Sequence, residues 1–311
     1  MHTEAGPERG PEDAERLQLA VPVGPVSFNV GASAAFRQHP ALHLFDGFHS
    51  VPGMTRRRCW DVRVEQGRQA LRGTGGPVRF FRDETGAYVS KREGWVASLN
   101  PAPPPTGPLA EVRFSSSIDD FETTQRGTAL FLAAISACAL VLEDAVLVHG
   151  AAMLAPDGQR ALAFVGPSGA GKTTMTRRLP GWQMLADESL CLDAGMGDGV
   201  VRVSGTPFTG KERNPRTEQP YPLAAIVFLH KGAEDARLAD VEAGRAMERL
   251  MARTYCCASD GVILERHLSV VDRIAARVPM KALHSNLGHD VMSLLAPSAG
   301  HCEDLAEGVS C

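Results

Sequence analysis

One octapeptide narrows the folds open to this chain more than any other stretch. Gly166-Pro167-Ser168-Gly169-Ala170-Gly171-Lys172-Thr173 follows the apolar run Ala161-Leu162-Ala163-Phe164-Val165 and leads into a helix-forming segment. It fits the pattern G-x-x-x-x-G-K-[ST] in full, and with this chain's residue frequencies a chance match is on the order of 0.5%. Glycines let the backbone curl until successive N–H groups face one point, and the start of a helix adds its positive dipole end. Such a loop cradles phosphate. Lys172 can then reach the β- and γ-phosphates and the Thr173 hydroxyl can ligate Mg²⁺. The expected binding set is Gly166, Pro167, Ser168, Gly169, Ala170, Gly171, Lys172, Thr173 and Thr174, with ATP and Mg²⁺ as the groups bound.

The surroundings extend this strand–loop–helix unit. Pro180-Gly181 stops the helix after about two turns. A further strand-like run ends in Leu185-Ala186-Asp187-Glu188, only fifteen residues after Lys172. Open α/β sheets place ligands at the carboxyl ends of strands, and adjacent carboxylates there can hold Mg²⁺ or take a proton from a hydroxyl. Upstream, His149-Gly150 closes the run Val146-Leu147-Val148. Short apolar runs at 161–165, 184–186, 200–203 and 223–229 alternate with helical patterns at 173–179, 241–253, 262–277 and 289–295. This rhythm predicts an α/β domain built on a sheet covered by helices.

Before it the pattern differs. Residues 17–108 carry short strand signals at 22–30, 60–64, 78–81 and 87–90, and a Pro-rich breaker spans 100–108. The predicted division is a disordered tail at 1–16, a smaller strand-rich region at 17–108, the phosphate-loop domain at 109–296 and a loose tail at 297–311. Within that domain a helix is expected from Asp119 to about Leu142, capped by Ser115, Ser116 or Ser117.

A net charge of −4 removes any global pull toward nucleic acid or anionic lipid. The apolar run 129–142 is too short for a membrane span and reads as a buried helix. Seven Cys without regular spacing support neither a disulfide framework nor a zinc site. With no apolar signal core in residues 1–16, the expected location is the cytoplasm.

In this order, Val148-His149-Gly150, the loop ending in Lys172-Thr173, and Ala186-Asp187-Glu188 resemble the carboxy-terminal catalytic domain of HPr kinase/phosphorylase. The layout is more closely similar to the HPr-kinase-related proteins of bacterial gene clusters, some of which phosphorylate ribosomally made peptides. Gly205-Thr206-Pro207-Phe208 and Pro222-Leu223-Ala224-Ala225-Ile226 carry that closer likeness. The resemblance implies a P-loop kinase-like fold and a kinase acting on a Ser hydroxyl of a peptide or protein. It places Lys172 and Thr173 at the ATP and Mg²⁺ positions and Asp187 at the first acid of the family's pair. Glu188 stands where the family has Asp, and His149 matches an active-site His. A homo-oligomer is implied by analogy with the family's hexamers alone.

The expected catalytic set is therefore Asp187, Glu188, His149 and Lys172, with Thr173, Asp187 and Glu188 on the metal. Lys211 and Arg213, in the Pro-bounded basic loop 210–216, are candidates for neutralising γ-phosphate charge or gripping an acidic acceptor, against a plain solvated loop. Two further readings stay open, a nucleotide-hydrolysing switch and a small-molecule kinase. An ABC-type engine is not supported, because no Leu-Ser-Gly-Gly-Gln-like signature is present.

Overall fold

Alternation of apolar and polar residues gives a strand one buried face. In the computed structural model, β1 (Leu17–Val23) and β2 (Val26–Ala32) follow this rule. They form a hairpin that turns at Gly24-Pro25, so the expected single run at 22–30 is broken where Gly24 adopts φ 55°. The structure describes residues 17–32, 58–66, 81–82, 84, 88–92, 95–100, 110–114, 121–195, 197–208, 217–256, 261–286 and 289–295. Both expected tails, the Ser115–Ser117 cap and the basic loop with Lys211 and Arg213 lie outside them.

The hairpin continues into β3 (Arg58–Gln66), β4 (Phe81–Arg82), β5 (Tyr88–Arg92), β6 (Trp95–Leu99) and β7 (Ala110–Phe114). The sheet order is β1-β2-β3-β7-β6-β5-β4. Because β7 pairs with both β3 and β6, this sheet runs past the boundary expected at 108. The next element, α1 (Phe121–Leu142), begins polar, but its second half is apolar around its circumference, and every residue from Leu132 to Val141 is buried. Such a helix needs cover on several sides. Val21, Val23, Val26, Phe28 and Val30 of the first sheet share one hydrophobic cluster with α1 and with the strand that follows it. The two sequence regions therefore fold around a common core.

That strand is β8 (Ala145–Leu154). After it come β9 (Ala161–Val165), α2 (Lys172–Arg177), β10 (Gln183–Ala186), β11 (Ser189–Asp193), β12 (Arg202–Gly205), β13 (Tyr221–Lys231), β14 (Arg237–Asp240), α3 (Ala243–Met251), α4 (Gly261–Arg277) and β15 (Met280–Ser285). The second sheet runs β10-β8-β11-β12-β13-β15-β14, and β9 bridges β13 and β8. Strands β8, β11, β12, β13 and β9 thus close into a five-stranded barrel. Ten residues of β8 make this closure: its first half pairs with β11, and its second half pairs with β9 and β10. In this second sheet, among the described residues, only the β9–β13 and β13–β15 pairs are parallel, so the domain is more antiparallel than the alternating pattern predicts.

Burial dominates the energetics. Leu140, Leu147, Phe164 and Leu190 are fully buried, and truncating such a side chain to Ala costs about 2–5 kcal/mol. The exposed Lys281–Asp240 pair, at 2.8 Å, contributes below about 1 kcal/mol. Helix α4 adds directed contacts. Arg266 donates to the carbonyls of Val141 and Leu142 at 3.1 and 2.8 Å, satisfying acceptors at the end of α1. No helix among the described residues is long and apolar enough to cross a membrane.

His267 of α4 is 1% exposed. Its Nε2 donates to the Thr254 hydroxyl at 2.9 Å, and that hydroxyl donates to the Met251 carbonyl. Burial pushes its pKa down to about 4. Between the ordinary value near 6.5 and 4, the unfolded chain takes up a proton that the folded chain refuses. Stability from this residue is full above that window and falls by about 3 kcal/mol as the pH drops through it. His267→Gln should flatten the pH dependence by about 2.5 kcal/mol between pH 7.5 and pH 4.5, which lies just inside that window, read from urea denaturation.

Candidate active site

The phosphate loop leaves β9 at Gly166 and enters α2 at Lys172. Gly169 and Gly171 take φ 76° and 98°, a region that L side chains rarely adopt. The Lys172 side chain is buried, and its Nζ donates to the carbonyls of Gly166 and Pro167 at 3.0 and 3.1 Å. The ammonium thus holds the curl of its own loop. Helix α2 has six residues, shorter than the segment 173–179 predicted. Its dipole is correspondingly small, so attraction for an anion falls on the loop N–H groups and on nearby cations. Thr173 is half-buried and Thr174 exposed at the start of that helix.

The expected acids sit at a break between two strands. β10 and β11 run antiparallel along one edge of β8, at Ala152, Met153 and Leu154 and at Ala145–His149 respectively, and Asp187-Glu188 is the gap between them. The gap lies against His149-Gly150. The Glu188 carbonyl accepts from Gly150 N at 3.1 Å and from His149 Nδ1 at 3.0 Å, and its Oε1 lies 3.4 Å from the same Nδ1. Of the two acids, Glu188 keeps a side chain 38% exposed, whereas Asp187 is buried. Burial lowers the pKa of Lys172, and the Glu188 charge opposes that shift. Burial and then Lys172 lower His149, while Glu188 opposes them. Three of the four expected catalytic residues, His149, Lys172 and Glu188, therefore act on one another.

The Gly205-Thr206 element braces this gap. Gly205 N donates to Thr217 O at 2.8 Å, Thr217 N donates to Leu185 O at 3.2 Å, and the Thr206 hydroxyl donates to Ser189 O at 3.0 Å. Leu185 and Ser189 flank the acid pair, so both sides of the gap are pinned from one turn. A Cβ at residue 205 would overlap the Leu185 carbonyl oxygen and approach Thr217 O to 2.6 Å.

Arg253 completes the cluster, and the sequence reading missed it. Where β9 turns off into the phosphate loop, the edge of β8 at Leu147–His149 loses its neighbour. Residues 253–255 take that place: His149 N donates to Arg253 O at 2.8 Å, Tyr255 N to Leu147 O at 2.9 Å, and Thr254 bridges Val148. The Arg253 charge lowers both Lys172 and His149. Burial, and then Glu188, push Tyr255 up to about 12. Between the phosphate loop, the end of β13 and α3 lies a cleft of about 710 Å³, whose wall includes Lys231, Arg245, Arg249 and Arg253 against one acid, Glu248. Ala246 and Leu250 of α3 are buried, and Met247 and Met251 pack partly buried on the core, as the amphipathic pattern predicts. The signal for the rest was present in the same segment, as arginines at positions 245, 249 and 253, four residues apart.

Gly166 to Ala170 line this cleft, and Lys172 lies outside its wall. Among the described residues no three His, Cys, Asp or Glu side chains converge on a metal position. The chain matches no protein-family model and no curated protein at a significant level.

Gly205→Ala should cost about 3 kcal/mol or more, through overpacking against backbone that cannot rotate away. Urea denaturation measures the loss, and a stability within about 0.5 kcal/mol of the parent would show that Gly205 does not brace the gap.

Proposed function

We propose that this chain is an ATP-dependent phosphotransferase of the HPr-kinase type, moving the γ-phosphoryl group to a hydroxyl, a Ser of a peptide or protein. The observation carrying this reading is that Gly150 pairs with Val165, the residue before the phosphate loop, while its N–H bonds to the Glu188 carbonyl and the Glu188 carboxylate lies 3.4 Å from His149 Nδ1. The Glu188 charge also acts on Lys172. A loop that only held nucleotide would have no need of a half-exposed carboxylate beside its lysine.

In this reading the loop N–H groups grip the phosphates, and Lys172 exchanges its carbonyl partners for phosphate oxygens. His149 Nδ1–H, directed at the Glu188 carbonyl and carboxylate, fixes the carboxylate. Its lowered pKa keeps the ring neutral near pH 7, so it stays a donor without adding charge. Glu188 takes the proton of the acceptor hydroxyl while that oxygen bonds to the γ-phosphorus, the bond to the β–γ bridging oxygen breaks, and ADP leaves. Arg253 and Lys172 spread the charge developing on the transferred group. Mg²⁺ would be held by the Thr173 hydroxyl and a carboxylate of the 187–188 pair. Bound there, it would help neutralise the charge on the phosphate oxygens.

Transfer of labelled γ-phosphate to Ser-containing peptides tests the proposal. Lys172→Ala should abolish transfer and weaken nucleotide binding. Glu188→Gln should leave nucleotide affinity within about twofold and lower the transfer rate about 10²–10⁴-fold. Equal rates for Glu188→Gln and the parent would sink the assignment of the base. Steady phosphate release with no labelled acceptor would favour the switch reading instead.

A further inference from the structure

The cleft holds more positive charge than the loop alone requires, and its cations divide into two groups. Arg253 acts on Lys172 and His149, whereas Arg245 and Arg249 figure in neither balance. On α3, Arg245 and Arg249 stand one turn apart, about 6 Å along the helix axis. They line the cleft while Ala246 and Leu250, about 100° further round the helix, are buried at 2% and 0% exposure, which fixes how the helix presents the arginines.

Arg249 is also held in place. Its guanidinium Nη1 lies 3.2 Å from His230 Nε2 and its Cζ sits 5.8 Å from the centre of the Phe228 ring. His230 stacks in turn on His284, the neighbouring residue in the β13–β15 register, with ring centroids 4.8 Å apart. The guanidinium donates, so Nε2 of His230 accepts and the ring is neutral. Burial, then Arg249 and His284, push the His230 pKa down in keeping with this. Among the described residues neither Arg245 nor Arg249 forms an ion pair with a carboxylate. Arg249 is thus an ordered guanidinium facing the cleft, and Arg245 is an exposed one a turn away whose charge also acts on Glu242. With neither held in an ion pair among the described residues, the two suit a planar oxyanion.

We propose that Arg245 and Arg249 form a second anion subsite, which takes a carboxylate or phosphate carried by the phosphoryl acceptor. The proposal rests on the phosphotransferase reading and deepens it: the acceptor is an acidic molecule, and its oxyanion docks on α3 while its hydroxyl meets the phosphate loop. The cleft of about 710 Å³ running from loop to helix gives that group a route.

The test uses the full chain saturated with the non-hydrolysable analogue AMPPNP and Mg²⁺. Two probes are titrated, inorganic phosphate and a fluorescent Ser peptide with two neighbouring Asp residues, the latter against the same peptide carrying Asn. A carboxylate-bearing acceptor requires the Asp peptide to bind at least about tenfold tighter than the Asn peptide. A phosphate-bearing acceptor requires saturable phosphate binding with no preference between the peptides. In either case the Arg245→Gln/Arg249→Gln variant should remove the effect to within about twofold, with AMPPNP affinity unchanged, and Arg249→Lys should remove part of it. Binding of neither probe, or binding that the double variant leaves intact, overturns the subsite. A loss of AMPPNP affinity in the double variant also overturns it, by assigning these arginines to the nucleotide. If the parent fails to bind AMPPNP, the phosphotransferase reading fails. The phosphate titration of parent and double variant, without nucleotide, then still decides whether the subsite exists.

Discussion

Strand β8 is the constraint from which the candidate site follows. Its ten residues must be paired along both edges, because buried N–H and C=O groups left without partners cost about 1–3 kcal/mol each. One edge is covered by β10 and β11 in succession, and the place where one gives way to the other is Asp187-Glu188. The other edge is covered by β9 until it turns into the phosphate loop, and then by residues 253–255. Both changes of partner occur beside His149-Gly150. Backbone pairing alone therefore brings a histidine, an acid pair, a phosphate loop and an arginine to one point.

Charge completes what pairing begins. The chain as a whole is negative, at −4, yet the cleft beside the phosphate loop collects Lys231, Arg245, Arg249 and Arg253 against Glu248. Burial penalises the charged form of Lys172, and the Glu188 charge offsets part of that cost. Cations gathered in one cleft raise the local positive potential there. The neutral His149 and His230 serve as directional hydrogen-bonding groups that add no further positive charge.

Much of the secondary structure was legible beforehand. β9 spans the residues predicted, 161–165, because a five-residue apolar run ending at a glycine loop has few alternatives. α1 and α4 follow from long apolar periodicity. β11 escaped notice because Ser189–Asp193 is buried throughout and shows no alternation, and only two residues separate it from β10. β14 and β15 were missed for the opposite reason: Arg237–Asp240 is short and polar, and Met280–Ser285 mixes Lys and His into its run. The mostly antiparallel barrel was not legible either. An alternating α/β rhythm looks alike whether strands return parallel or close into a ring.

By itself the sequence determined the phosphate loop, since its curl depends on eight neighbouring residues, two glycines at positive φ and one lysine bonded to its own loop. It also carried the acid pair and the His-Gly element as candidates. Only the tertiary structure decided that the Glu188 charge acts on Lys172, and that Arg253, eighty-one residues further on, does so too. The physical reason is range. Dihedral preferences and local hydrogen bonds are written into adjacent residues, whereas a Coulombic partner is chosen by which strands share an edge, and no short stretch of chain contains that choice.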